Sequence, residues 1–323
     1  MKNMLSFLRA ATVALACALA AAPGLAQDKV TKLIVGYPPG AGADTLTRLL
    51  ADRMRTTLGQ PVIVENKTGA AGRLAVEQVK LATPDGTTLL MTPLANVVAH
   101  PHSYANLRYN PFTDLEPVAH LASFQLAFAV GADVPAKTLK EYVTLVKTDP
   151  KYGNYASAGA GSLPHFFGVM FGRAAGIEMT HVPYKGTAPA LSDLTGGQIA
   201  AFSGVVADVT QLEKAGKVRV LATSGAKRAP ALPDVPTFRE QGFDIEGSAW
   251  YALFAPAKTP KATVDRLAAA AIEAIKSPEV SAKLQAMGLE PTGLGPSELA
   301  TILKTDYDRW GPVIKASGFK AED

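Results

Sequence analysis

The chain has 323 residues, with 32 lysines and arginines against 28 aspartates and glutamates and a formal net charge of +4. So even a balance offers no strongly basic face for nucleic acid or an anionic membrane surface. The single cysteine, Cys17, excludes disulfides; it falls in the leader described next, so the mature chain has no thiolate nucleophile and no cysteine-ligated metal.

Residues 1–26, "MKNMLSFLRAATVALACALAAAPGLA", place Lys2 and Arg9 before an Ala/Leu/Val core, then Gly24 and Ala26 at a cleavage site. That is the layout of a secretory signal peptide, so the mature protein is expected to be exported and to begin near Gln27. The apolar core is shorter than the ~20 residues that span a bilayer. A competing reading makes Cys17 a lipid-anchor cysteine, but Ala14 stands where a branched aliphatic is usual. A chain of this length buries enough core to do without disulfides and favours two domains.

Strand and helix signals then alternate. "KLIVGY" (32–37) reads as a strand, followed by the bare loop "PPGAGADT" and by Leu46, Leu49, Leu50, Met54 and Leu58 at helical spacing. Asp44 or Thr45 is the expected N-cap of that helix, and Gly59 lies just past its end. "PVIVE" (61–65), a helix from about Arg73 to Ala82, and "TTLLM" (87–91) complete a strand-helix-strand-helix-strand order, which implies a parallel sheet. The grammar repeats with "GNYAS" (153–157), the loop "AGAGS", and an apolar helix with Pro164 in its first turn and Gly176 at its end. "MTHV" (179–182), "QIAAF" (198–202) and "VRVLAT" (218–223) are the next strands, after which the chain turns to helices.

Each half thus carries a glycine-rich strand-to-helix loop. A helix start leaves N–H groups unpaired and carries partial positive charge, and small residues let a ligand approach that backbone, so an anion is the expected guest. In open α/β sheets ligands lie beyond the carboxyl ends of the strands, and two facing loops would hold one anion between them. The competing reading is that Gly40, Gly42, Gly159 and Gly161 only make tight turns.

"YPPGAGADTLTR", "PVIVENKTGAAG", "PDGTTLL", "YASAGAGSLPHF", "HVPYKGTAPALSDLTGGQI", "VRVLATSGAKRAPALPDVPTFREQGF" and "WYALFAPAKTP" resemble, in order and spacing, the Bug-type periplasmic solute receptors of tripartite tricarboxylate transporters. The likeness covers essentially the whole mature chain. It implies a type II-like periplasmic binding protein: two α/β domains, each a mostly parallel sheet flanked by helices, joined by crossing strands near "FQLAFAV" and "WYALFAP". Domain one would be 27–124 plus 253–323 and domain two 125–252. Such receptors are periplasmic monomers with no cofactor and no catalytic activity. They close on a small mono-, di- or tricarboxylate and deliver it to the integral-membrane permease subunits.

By the same resemblance, the first binding loop falls on Tyr37, Gly40, Ala41, Gly42, Ala43, Asp44 and Thr45, with Ala41 where the family usually has another glycine. The second falls on Ser157, Ala158, Gly159, Gly161 and Ser162 with His165, where Pro164 replaces a commoner polar residue, and the third on Tyr184, Lys185 and Gly186. "TPLANVVAH" puts Asn96 near the cleft in a stretch that matches the family poorly. Asp208, at a helix start, either caps that helix or accepts a bond from the ligand. Trp250 and Tyr251, in the second crossing segment, serve as packing or as a pocket wall.

Other chemistries fit less well. "GAGADT" with Glu65 imitates a dinucleotide fingerprint, but Thr45 occupies the third glycine position. A serine hydrolase acting on an anionic ester would combine Ser157 or Ser162, His165 or His181, and Asp193 or Asp208, yet "AGAGSLP" is not a G-x-S-x-G elbow. His100 and His102 would share one face of an extended segment as metal ligands, without a carboxylate at motif spacing. A receptor feeding a sensor kinase instead of a permease has the same sequence signature.

Overall fold

The computed structural model describes residues 30–40 and 42–321, so the expected leader and Ala41 lie outside the described residues. Strands β1 (Thr31–Val35), β2 (Val62–Asn66) and β3 (Thr88–Pro93) are parallel, with Leu33 level with Val64 on one side and with Leu89 on the other. Helices α1 (Gly42–Leu58) and α2 (Arg73–Lys80) make the crossovers. Leu33, Ile34 and Val35 are all fully buried, as expected for parallel strands covered on both faces. Alternate residues face opposite layers: Leu33 and Val35 pack with Leu46, Leu50 and Met54 of α1, whereas Ile34 packs with Ala75, Val76 and Val79 of α2. A five-residue π turn, Ala95–Ala99, and the short helix α3 (His100–Ser103) follow β3.

Strand β4 (Leu115–Gly131) then runs through both halves of the sheet. Its first part pairs antiparallel with β9 (Ser248–Pro256), from Leu115 opposite Pro256 to Gln125 opposite Ser248, and β10 (Glu290–Leu294) flanks its other side. From Leu126 onward the partners are β7 (Ala201–Val205) and β8 (Val218–Thr223). Beyond β7 lie β5 (Asn154–Ser157) and β6 (Thr180–Pro183), both parallel. The continuous order is β2-β1-β3-β9-β4-β7-β5-β6.

Helices α4 (Leu139–Thr148), α5 (Leu163–Ala175), α6 (Thr187–Thr195) and α7 (Val206–Lys214) belong to the second half; α8 (Lys261–Lys276) and α9 (Pro278–Ala286) return to the first. Helix α10 (Pro296–Ser317) touches both: it packs on β4 and the π turn, and Trp310 lies 6.3 Å from Phe167 of α5. No helix among the described residues is long and apolar enough to cross a membrane.

Three expectations shift. Residues 198–200 lie outside the strand, which starts at Ala201, and the chain after Thr223 is not purely helical, since β9 and β10 complete the sheet. Neither Asp44 nor Thr45 is the N-cap, because α1 starts at Gly42 and both fall in its first turn. Gly59 does end the helix, with φ 64 and its N–H donating to the Arg55 carbonyl at 3.1 Å.

Trp250 is buried and donates its indole N–H to Asp306 Oδ2 at 2.8 Å. Burial raises the Asp306 carboxyl above its usual value, despite that bond and the charge of Arg309. A group with a raised folded pKa stabilises the fold below its unfolded pKa and loses that contribution as pH rises through the folded value. Asp306→Asn keeps an acceptor for Trp250 without the charge. It is expected to raise the melting temperature at neutral pH, with the gain vanishing below the ordinary carboxylate range, as calorimetry at several pH values would read.

Candidate functional site

The loops that follow β1, β2, β3, β5 and β6 all lie at the carboxyl ends of parallel strands, where α/β sheets leave room for ligands. A cavity of about 350 Å³ opens among them. Tyr37, Ala71, His100 and Tyr104 line it from the first half, and Ala158, Ala160, Gly161 and Ser162 from the second. Phe319, just beyond α10, closes one end, edge-on to His165 at 5.4 Å and to Phe166 at 5.7 Å.

The first loop is already occupied by an anion of its own. Asp44 Oδ2 accepts the Gly40 N–H at 2.9 Å, Arg48 makes two 2.9 Å bonds to the same carboxylate, and Asn66 Nδ2 donates to Oδ1 at 2.7 Å. Burial pushes this carboxyl up, but these bonds outweigh it and hold the pKa at about 2. Gly40, Gly42, Ala43, Asp44 and Thr45 therefore flank the cavity without bordering it, and Tyr37 is the member of this loop that reaches the wall.

Tyr37 is braced from behind. Its hydroxyl donates to Asn96 Oδ1 at 2.9 Å, and Asn96 Nδ2 donates to the Ala71 carbonyl at 3.0 Å. Asn96 is fully buried and stands behind the wall instead of in it. Tyr109 closes the network by donating to the Asn96 carbonyl at 2.6 Å.

The sequence reading singled out no residue of the turn after β2. Gly69, Ala70, Ala71 and Gly72 all have positive φ, at 127, 47, 53 and 89. Left-handed conformation costs an alanine roughly 1–2 kcal/mol, and such strain gathers at functional sites. Close approach explains the flanking glycines: a Cβ on Gly72 would lie 2.8 Å from Asn96 Nδ2, and one on Gly36 would lie 2.7 Å from Gly72 Cα. "TGAAG" between a strand and a helix was the available signal.

The second loop uses most of its polar groups internally. Ser162 caps α5 by accepting the His165 N–H at 3.3 Å and donates to the Gly159 carbonyl at 2.7 Å; Gly161 N–H donates to His165 Nδ1 at 3.1 Å. Ser157 is fully buried, 2.7 Å from His181 Nε2, and His181 stacks on His165 with centroids 3.9 Å apart. Ser157 Oγ also reaches the Gly159 carbonyl at 3.0 Å, so a hydroxyl with one proton is shared between that carbonyl and the imidazole, and it does not border the cavity. Gly159 and His165 do not border the cavity.

The third loop is stitched to the second: Tyr184 N–H donates to the Ser157 carbonyl and Gly186 N–H to that of Ala158, each at 3.0 Å. Tyr184 also donates its hydroxyl to Asp193, and Lys185 is exposed. Asp208 lies in the first turn of α7, accepts from the Val205 backbone and, at 3.4 Å, from Thr187; burial raises its pKa. His100 and His102 are helical, not extended: His100 is buried 3.5 Å from Tyr109, and His102 bonds the Tyr307 carbonyl at 3.1 Å. Trp250 packs in the core, and Tyr251 stands 5.3 Å from Phe124.

The profile of the tripartite tricarboxylate transporter family receptor matches residues 46–319. This chain belongs to that family. Bug-type relatives include BugT of Bordetella pertussis, 29% identical over 98% of this chain and 99% of its own. Among solved structures, MatC (Rpa3494) from Rhodopseudomonas palustris with bound malate is 33% identical, with a TM-score of 0.74, covering 88% of this chain and 98% of that one. R. palustris Rpa4515 with adipate is 29% identical, with a TM-score of 0.77, covering 90% of this chain and 97% of that one. The family receptor therefore has the type II-like periplasmic-binding-protein fold expected from the sequence.

Burial lowers the pKa of His100, His120 and His165 to about 4 and that of His181 to about 3; Arg73 adds to the effect on His100 and His165 to that on His181. Each is neutral in the fold but takes a proton near its ordinary value when unfolded. Their contribution to stability is present above the unfolded pKa of about 6.5 and is lost as pH falls towards the folded values. Urea unfolding should show a falling free energy over that window, and His165→Gln should remove one group's share, about 1.4 kcal/mol per pH unit at its steepest.

Proposed function

We propose that this protein is an exported, periplasmic receptor that binds a small carboxylate in the cleft between its halves and delivers it to a tripartite tricarboxylate transporter permease. The observation that carries this reading is the cleft's wall: backbone, small residues, the Tyr37 phenol and the Ser162 hydroxyl, at the ends of strands from both halves. Family membership and the malate and adipate held by two relatives support it. The residues we assign to the ligand are Tyr37, Ala158, Gly161 and Ser162 on the wall. Asn96 braces Tyr37, and His165 holds Gly161 and Ser162 in place. Hydrogen bonds to a charged group contribute about 1.5–3 kcal/mol each, so a few aligned N–H groups suffice.

The halves correspond to residues 27–124 with 253–323 and to 125–252. The change of β4 partners between Gln125 and Leu126, with β9 alongside, is the hinge we propose. The 2.7 Å Ser157–His181 contact is the one feature that favours a hydrolase; the full burial of Ser157, which does not border the cavity, argues against it.

A thermal-shift screen of mono-, di- and tricarboxylates tests the reading. A ligand at ~100 times its dissociation constant adds ~2.7 kcal/mol of stability. No shift with any carboxylate, together with turnover of a generic ester, would reverse the assignment. Ala160 is exposed and borders the cavity, so Ala160→Leu should abolish ligand-induced stabilisation while leaving the unliganded melting temperature unchanged. Solution scattering should record a smaller radius of gyration at saturating ligand.

A further inference from the structure

The segment beyond α10 turns back to the cavity, where Phe319 and Ala321 join its lining. Gly318, with φ 72, ends the helix in the left-handed conformation that glycine takes without strain. Phe319 N–H then donates to Ser317 Oγ at 3.1 Å, and Ala321 N–H donates to the Ser103 carbonyl of α3 at 2.9 Å. The segment is thus tied to the first half, yet the Phe319 ring packs on the second. It stands edge-on to His165 and Phe166, and a Cβ on Gly161 would fall 2.7 Å from Phe319 Cε1. Arg173 of α5 also reaches across, donating to the Ala316 carbonyl.

Phe319 borders two spaces at once. One is the cavity of about 350 Å³, which no carboxylate, lysine or arginine lines. The other is an outer hollow of about 540 Å³ whose lining includes Asp308, Lys315 and Lys320. We propose that the Phe319 ring is the partition between these spaces and sets the upper limit on the length of the carboxylate that the receptor accepts. The proposal rests on the carboxylate-binding reading above. A carboxylate seated on Gly161 and Ser162 lies beside the ring, because the bare Cα of Gly161 is what gives the ring its place. Each methylene that a ligand buries in the cavity adds about fourfold to its affinity. A chain long enough to reach Phe319 must displace a ring already packed on His165, Phe166 and Gly161, so a clash discriminates against longer acids. Without the ring the cavity would run on into the hollow, where a longer chain has room.

The test is calorimetric titration with two homologous series, the straight-chain alkanoates from propanoate to decanoate and the α,ω-dioates from succinate to sebacate, in each series that the wild-type protein binds. Wild-type affinity should rise by up to about fourfold per methylene to a maximum and then fall by about tenfold or more. In Phe319→Ala that maximum should move to a longer acid, while affinity for the shortest acids changes less than about threefold. Phe319→Leu, which leaves a smaller apolar side chain in place, should fall between the two. Melting temperatures establish that both variants fold. A loss by the same factor at every length, a maximum that does not move, or a wild-type series with no fall overturns the partition and leaves carboxylate binding standing. Wild-type protein that binds no acid of either series overturns both.

Discussion

Strand β4 has to satisfy two half-sheets with one backbone. Up to Gln125 its hydrogen bonds go to β9 and β10, and from Leu126 to β7 and β8. The change of partners leaves backbone groups that no strand satisfies, and side chains supply the missing bonds. Gln125 Oε1 accepts the Gly225 N–H at 3.1 Å and its Nε2 donates to the Lys227 carbonyl at 3.2 Å; Ser224 Oγ accepts the Leu126 N–H at 2.9 Å. Buried polar groups are expensive unless paired, so this small network satisfies the backbone where β4 passes from one half of the sheet to the other. The cleft exists because the parallel strands of each half end facing the same gap.

Electrostatics make that gap asymmetric. The first loop spends its charge attraction on Asp44, a buried carboxylate neutralised by Arg48 and fixed by Gly40 and Asn66. This order rigidifies the start of α1 and keeps Tyr37 against Asn96, at the cost of backbone donors that a ligand would otherwise use. The second loop has hydroxyls and histidines that are neutral by burial, so nothing in it repels an anion. The left-handed Gly69–Gly72 turn braces the first loop through the Ala71 carbonyl, which fixes Asn96 and hence Tyr37.

Much of this was legible in the residues. β-branched runs at strand length gave β1, β2 and β8 within a residue or two, and β1, a parallel strand buried on both faces, has no polar alternation to obscure it. Pro164 and Gly176 bracket α5 as their backbone preferences dictate, and the glycine-rich loops lie at strand ends. The long β4 was underread, since only its "FQLAFAV" portion has the density of apolar residues that marks a strand; its first part carries Glu116, Pro117 and His120. β10 was missed because "EPTGL" reads as a turn and becomes a strand only by pairing with β4.

The sequence by itself determined the alternating strands and helices, the two anion-compatible loops and the family, since these depend on local periodicity, backbone preference and motif order. Which donors stay available, and which side chains meet, was decided by tertiary structure alone. Gly40 and Asp44 are four residues apart, yet that their bond removes a ligand contact follows only from the buried position that Asn66 and Arg48 give the carboxylate. Arg73 and Tyr104 lie far apart in the chain and carry no shared pattern; they meet because α2 packs on β3, and the chain leaves that strand through the π turn and α3 towards Tyr104. Long-range pairing of this kind depends on register and packing across the whole fold, which no window of sequence contains.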